Sequence, residues 1–191
     1  CTSTEQAKRV VSWGFKSRNR GRLESMVALA RSQPGIPVLP EQLDQDRFLF
    51  NVLNGTIDLR TGELRAHRRE DLITKVAPVE YDPQARCPRF ERFLAEIFNG
   101  DAALIEYVLR LLGVCLTGDI TEQVLPIFHG SGANGKSVLV DTMLGLWGDY
   151  GCLAPPSLLT SSPRGEHPTE IADLAGRRFV VASETEQNAV L

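Results

Sequence analysis

Eight consecutive residues carry the clearest chemistry in this sequence. Gly130-Ser131-Gly132-Ala133-Asn134-Gly135-Lys136-Ser137 fits the phosphate-binding pattern G-x-x-x-x-G-K-S/T at every fixed position. Glycines at 130, 132 and 135 let the backbone curl until successive N–H groups face one anion. A helix expected to begin at about Lys136 adds the positive end of its dipole. From there the Lys136 ammonium can reach the outer phosphates of a nucleotide, and the Ser137 hydroxyl can ligate Mg²⁺. The candidate nucleotide-binding residues are therefore Gly130, Ser131, Gly132, Ala133, Asn134, Gly135, Lys136, Ser137 and Val138. The plainer alternative is a chance glycine-rich turn before a helix. It has to explain four fixed positions and both flanks.

Such a loop needs a carboxylate partner for its metal. The apolar run Phe179-Val-Val-Ala182 ends in Ser183-Glu184, with Glu186 two residues on. A carboxylate there can hold the Mg²⁺ hydration shell or polarise an attacking water. Glu184 is thus the candidate metal residue beside Ser137, and Lys136, Glu184 and Glu186 are the candidate catalytic residues. An ordinary surface acid after a core strand is the competing reading.

Elements must hold these groups in place. Val124–His129 predicts a strand entering the loop, with Pro126, which cannot donate to a ladder, as its first residue. A second parallel strand is predicted at about 178–183, and Gly151–Pro168 is expected to be a long connection rich in Pro and Ser. Upstream, apolar residues at three- and four-residue steps predict helices over Glu5–Arg18 and Arg22–Arg31. The turn dipeptides Asn54-Gly55 and Thr61-Gly62 divide residues 48–67 into a three-stranded meander. Asp58, Glu63 and His67 on that meander are read as solvent-facing. Phe90, Phe93, Leu94, Ile97 and Phe98 form one helix face, opened by Pro88 and stopped by Asn99-Gly100. Asp101 is the expected N-cap of a second helix, with Leu104, Ile105, Val108, Leu111 and Leu112 inward and its end at Gly113.

Composition narrows the classes. With 191 residues, 42% apolar and a net charge of only −3, the chain can bury a core and is not disordered throughout. No apolar run reaches the ~20 residues of a membrane span. The four cysteines, at 1, 87, 115 and 152, lack metal-site spacing, and with no secretory signal the expected compartment is cytoplasmic, with reduced thiols. Residues 1–40 carry seven Lys or Arg against two acids, a net of +5, while the remainder nets −8. That segment is either a solvated helix face or a contact for a phosphate backbone.

Taken together, these segments resemble a known family. Gly130–Ser137, with Asn134 just before Gly-Lys-Ser, resembles the nucleotide loop of superfamily 3 helicases. Leu53–Leu64, Tyr81–Phe90 and Leu112–Asp119 are similar to segments of phage and plasmid primase-helicases of the poxvirus-related type, and Leu174–Glu184 to the family's second acidic motif. The resemblance covers about residues 45–186 in one order. It implies an α/β fold: a helical and β-hairpin N-terminal module at 1–118, then the start of a P-loop (AAA+-like) ATPase core at 119–191. It also implies an ATP- and Mg²⁺-dependent replicative DNA helicase, working as a homo-oligomeric ring, commonly a hexamer, on single-stranded DNA and not on a membrane. The family's acidic motif usually ends in adjacent acids, whereas here Thr185 separates Glu184 from Glu186. The chain stops at Leu191, before the family's polar sensor and arginine finger, so weak nucleotide binding and poor hydrolysis are expected of this piece. Two other classes stay open: another P-loop phosphotransferase, and a non-catalytic DNA-binding or assembly module.

Overall fold

The computed structural model describes residues 2–130, 132–155, 158 and 171–182. They fall into two compact units, Cys1–Leu43 and Asp44–Leu191.

In the first unit, α1 (Thr2–Ser17) and α2 (Arg20–Ala30) are joined through Asn19. Asn19 is extended and its side chain accepts from Gly21 N at 3.0 Å, satisfying one free amide at the start of α2. Both helices lie close to their predicted ranges. Their apolar residues are nevertheless exposed: Val10, Val11, Trp13 and Phe15 on α1, and Leu23, Met26, Val27 and Leu29 on α2.

The second unit opens with the predicted meander, an antiparallel sheet of β1 (Leu49–Val52), β2 (Gly55–Asp58) and β3 (Glu63–Arg65) in that order. Val52 pairs with Gly55 across a turn at Leu53-Asn54, one residue earlier than the predicted Asn54-Gly55, and Phe50, Val52 and Ile57 lie in the core. Residues 76–79 extend this sheet's bonding: Ala77 N donates to Asn51 O and Leu53 N to Val79 O, at 2.9 and 2.8 Å. Asp58 accepts from the Arg60 amide, and His67 Nδ1 is 3.3 Å from Thr56 Oγ1, so these polar groups close turns and strands.

The helical hairpin follows. Pro88 opens α3 (Pro88–Ile97), and the chain reverses through Asn99 and Gly100, both at positive φ. Asp101 then caps α4 (Ala102–Thr117), accepting from Leu104 N at 3.0 Å. Two details differ from expectation. The helix α4 passes through Gly113 and stops at Gly118, which is left-handed (φ 62°). The ~1 kcal/mol cost of a helical glycine is offset by one more turn that packs Cys115 and Leu116 on the core. Leu104 faces solvent, while Val108 and Leu112 are buried.

After a turn at 119–123 the predicted strand over 124–129 does not form. Those residues are irregular, with Val124, Leu125, Ile127 and Phe128 exposed. A strand is held by ladder bonds to a neighbour, and among the described residues nothing pairs with this run, in which Pro126 also removes a donor. The helix α5 (Lys136–Trp147) begins at the predicted residue. Its buried stripe is Leu139, Met143 and Trp147, four residues apart. A short 3₁₀ turn, Gly148–Tyr150, leads into β4 (Gly151–Ala154), which runs parallel to β5 (Phe179–Ala182). These residues fall in the expected Gly151–Pro168 connection, and Gly-Cys-Leu-Ala has neither alternation nor β-branched residues. Here the strand is held by its partner and by α5 rather than by propensity. The partner of β5 is accordingly β4 and not residues 124–129.

One core joins these parts. Phe50, Val52 and Ile57 of the meander, Leu94 of α3, Val108 and Leu112 of α4, and Leu139, Met143 and Trp147 of α5 pack in a single cluster with Ala77 and Tyr150.

Candidate functional site

The loop 130–135 is shaped by its own backbone and by the hairpin beneath it. Gly135 is the N-cap of α5 in the left-handed conformation (φ 78°), and a β-carbon there would come 2.5 Å from Ile97 Cγ2 and 3.3 Å from Phe93 Cε2. Only glycine fits both constraints. Phe93 and Ile97 of α3 therefore form the floor of the loop. The sequence showed them as an apolar stripe but not what the stripe meets. Ala133 is also left-handed (φ 60°), and Gly130 has φ 153°. Together these values turn the chain tightly enough to bring residue 136 back over residue 130.

Lys136 is the first residue of α5. Its Nζ donates to Gly130 O at 3.1 Å and to Asn134 Oδ1 at 2.8 Å, so the ammonium spans the mouth of the loop. The start of α5 has no side-chain cap, and the first helical bond comes from Leu139 N to Gly135 O at 3.0 Å. The amides of Lys136, Ser137 and Val138 lie ahead of that bond, where a helix has no internal acceptors. Ser137 and Val138 are exposed, Gly132 and Ala133 likewise, and Asn134, Gly135 and Lys136 are half-buried. Chemically, this is a cation and a helix N-terminus side by side on an exposed loop, which suits a phosphate group. A β-carbon at Gly130 would meet the Asn134 carboxamide nitrogen, a side-chain end that can turn aside, so it is the φ of 153° that favours glycine there.

Of the candidate residues, the structure brings Gly130, Asn134, Gly135 and Lys136 into mutual contact and puts Ser137 and Val138 on the first turn of α5. Ser131, Glu184 and Glu186 lie outside the described residues. Among the described residues, no group of His, Cys, Asp and Glu is arranged to hold a metal ion.

What the structure does show is how β5 is held. The start of β5 lies at the C-terminal end of α5, where the Trp147 and Phe179 rings are 5.3 Å apart. Just before it, Arg178 is half-buried and, among the described residues, has no salt-bridge partner. Its guanidinium donates to Leu116 O at 2.6 Å and to Leu49 O at 2.9 Å, and lies 4.6 Å from the centre of the Tyr150 ring. Burial lowers its pKa, opposed by the favourable field of Tyr150, Asp44 and Asp46. The Tyr150 ring stacks on Phe50 at 4.4 Å, and its hydroxyl donates to Lys75 O and accepts from Asn51 N. Burial raises the Tyr150 pKa. Arg178 thus ties the meander, the end of α4 and the entry to β5 together. The sequence places Arg178 at the start of the strand predicted at about 178–183, and nothing in the spacing marks the carbonyls it meets.

Comparison with known proteins follows the same order of segments. Residues 3–99 match the family described as "D5 N terminal like". Over 149 residues, 74% of this chain and 15% of the relative, the sequence is 32% identical to "Putative helicase L207/L206" of Acanthamoeba polyphaga mimivirus. Over 153 residues, 78% of this chain and 16% of the relative, it is 28% identical to "Putative helicase 184R" of Invertebrate iridescent virus 6. The chain therefore spans a small part of the length of these relatives. Among the described residues, no helix is long and apolar enough to cross a membrane.

Proposed function

The chain belongs to the D5 N terminal like family, and on that premise we propose that it is part of a replicative DNA helicase whose ATPase core begins at its phosphate-binding loop. The observation that carries this reading is the bridging of Lys136 Nζ between Gly130 O and Asn134 Oδ1 beside an uncapped helix start. A triphosphate entering the loop replaces those two acceptors with phosphate oxygens, and the free amides of α5 take up the remainder of its charge. Residues 130–138 hold the nucleotide. Ser137 and a carboxylate at Glu184 or Glu186 would hold Mg²⁺, which supplies charge neutralisation at the outer phosphates.

β5 begins with Phe179 against Trp147 at the C-terminal end of α5 and runs parallel to β4. Both relatives are named putative helicases, which favours a nucleic acid as the polymer acted on, and DNA enters through the resemblance to replicative primase-helicases. A homo-oligomeric ring, a hexamer on single-stranded DNA, belongs to the same proposal.

Calorimetric titration of this chain with ATP and Mg²⁺ tests it. Binding is expected, with a loss of tenfold or more in Lys136→Ala, whose side chain bonds only to loop groups and should not change the melting temperature. Equal binding by wild type and Lys136→Ala would end the proposal. In the full-length protein, ATP turnover should rise on adding single-stranded DNA, which a small-molecule phosphotransferase would not show.

A further inference from the structure

The first unit carries a second set of groups with a chemistry of its own. Glu5, Lys8, Arg9, Ser12, Trp13 and Lys16 of α1 and Arg22 of α2 line an open groove of about 480 Å³, in which one acid stands against four cations. A second concavity, of about 530 Å³, shares Lys16 and Arg22 and is also lined by Phe15, Arg18 and Asn19. Lys8, Arg9 and Lys16 are separated by one, seven and eight positions, which on a helix returns them to one side. Among the described residues, none of Lys8, Arg9, Lys16, Arg18 and Arg22 has an acidic partner, whereas Arg20 is paired with Glu24 at 2.7 Å. Trp13 and Phe15 stand 67% and 72% exposed beside these cations.

We propose that this groove is a docking surface for single-stranded DNA. Five unpaired cations fit a phosphate backbone, and two exposed aromatic faces fit unstacked bases, which a duplex does not offer. The same positive charge opposes a second copy of this face as occupant. The inference deepens the reading above by naming where a strand would lie, and it rests on that reading only for the polymer's identity.

The test uses the whole chain and a fluorescein-labelled oligothymidylate of about 15 nucleotides, within the site sizes of single-strand binders. Anisotropy is followed between roughly 50 and 200 mM salt. Wild type should bind, with a log–log salt slope of about −0.7 for each phosphate neutralised. The double substitution Lys16→Glu, Arg22→Glu should weaken binding at least tenfold and flatten the slope by more than one unit. Trp13→Ala should cost about fivefold or more and leave the slope unchanged. DNA should also quench tryptophan emission in wild type but not in Trp13→Phe, since the other tryptophan, Trp147, is buried. Each substituted side chain is exposed, and unchanged circular dichroism should confirm folding. Lys136→Ala should bind the oligonucleotide as wild type does, so failure of the nucleotide loop and failure of this surface are separable. Tighter binding to a duplex of equal length, to oligouridylate or to anionic vesicles would overturn the proposal. So would full affinity in Trp13→Ala, or variants that alter self-association alone.

Discussion

Arg178 is the sharpest place to test how the loop-bearing half is held to the meander. Its side chain makes two charge-assisted hydrogen bonds, to Leu49 O and Leu116 O, and lies over the Tyr150 ring. Such bonds contribute about 1.5–3 kcal/mol each, and a desolvated cation–π contact about 2 kcal/mol. Against this stands the desolvation cost of a half-buried ion that has no direct salt bridge among the described residues. In Arg178→Met the desolvation cost disappears and most of the packing stays, so a net loss of about 1–3 kcal/mol is expected from the two carbonyls that lose their donor. In Arg178→Lys the charge stays but the planar fork is gone, so one ammonium must choose between Leu49 O and Leu116 O. That variant should be at least as unstable as the methionine one. Urea unfolding followed by the far-UV signal measures both. With a slope of ~2 kcal/mol per M, the midpoints should fall by about 0.5–1.5 M. A lysine variant as stable as wild type, or a methionine variant more stable than wild type, would show that the fork is not what joins these elements.

Other expectations follow from single contacts. Gly135→Ala must place a β-carbon against Ile97 at positive φ, so it should lose nucleotide binding and destabilise by about 1–3 kcal/mol, measured by titration and thermal melting. Removing the α4 N-cap in Asp101→Ala should cost about 1 kcal/mol in the same urea assay, while Asp101→Asn should cost only a few tenths. The Asp46 carboxyl is held below its ordinary pKa of 3.8, first by its hydrogen bond from Arg60. Its contribution is therefore complete above the unfolded value of ~3.9 and lost as pH falls through the lower folded value. Asp46→Asn should flatten the acid limb of a stability–pH profile below about pH 4 and leave its slope at neutral pH unchanged.

What the sequence revealed depended on whether local chemistry decided the outcome. Pro88 at the first position of α3, the Asp101 cap and the start of α5 at Lys136 are set by a few neighbouring residues and lie where the spacing put them, and the first meander turn falls one residue early, at Leu53-Asn54. Strands 124–129 and 151–154 were misread in opposite directions because a strand is stabilised by its neighbour. An apolar run with no partner stays irregular, and a nondescript one beside β5 becomes a strand. The end of α4 was misread because Gly113 alone signals a stop, while tertiary contacts of Cys115 and Leu116 carry the helix on to Gly118. The carbonyl partners of Arg178 were not legible, since a half-buried cation held by distant carbonyls leaves no periodic trace.

The hairpin and the loop are best understood as one mechanical body. Gly135 rests on Phe93 and Ile97, and these belong to a helix whose Leu94 packs in the same core as Leu139, Met143 and Trp147 of α5. Packed cores transmit displacement because they contain little free volume to absorb it. A change in the tilt of α3 must therefore be taken up either by the helix start that carries Lys136 or by the floor beneath the loop. Enlarging the floor tests this without touching any phosphate-binding group. Ile97→Ala should relieve the contact under Gly135, lower stability by about 2–4 kcal/mol or less at its half-buried position, and weaken ATP binding beyond what the lost stability explains. If binding at a temperature where the variant is fully folded equals that of wild type, then the loop holds its shape through the Lys136 bridge alone and α3 is only a neighbour.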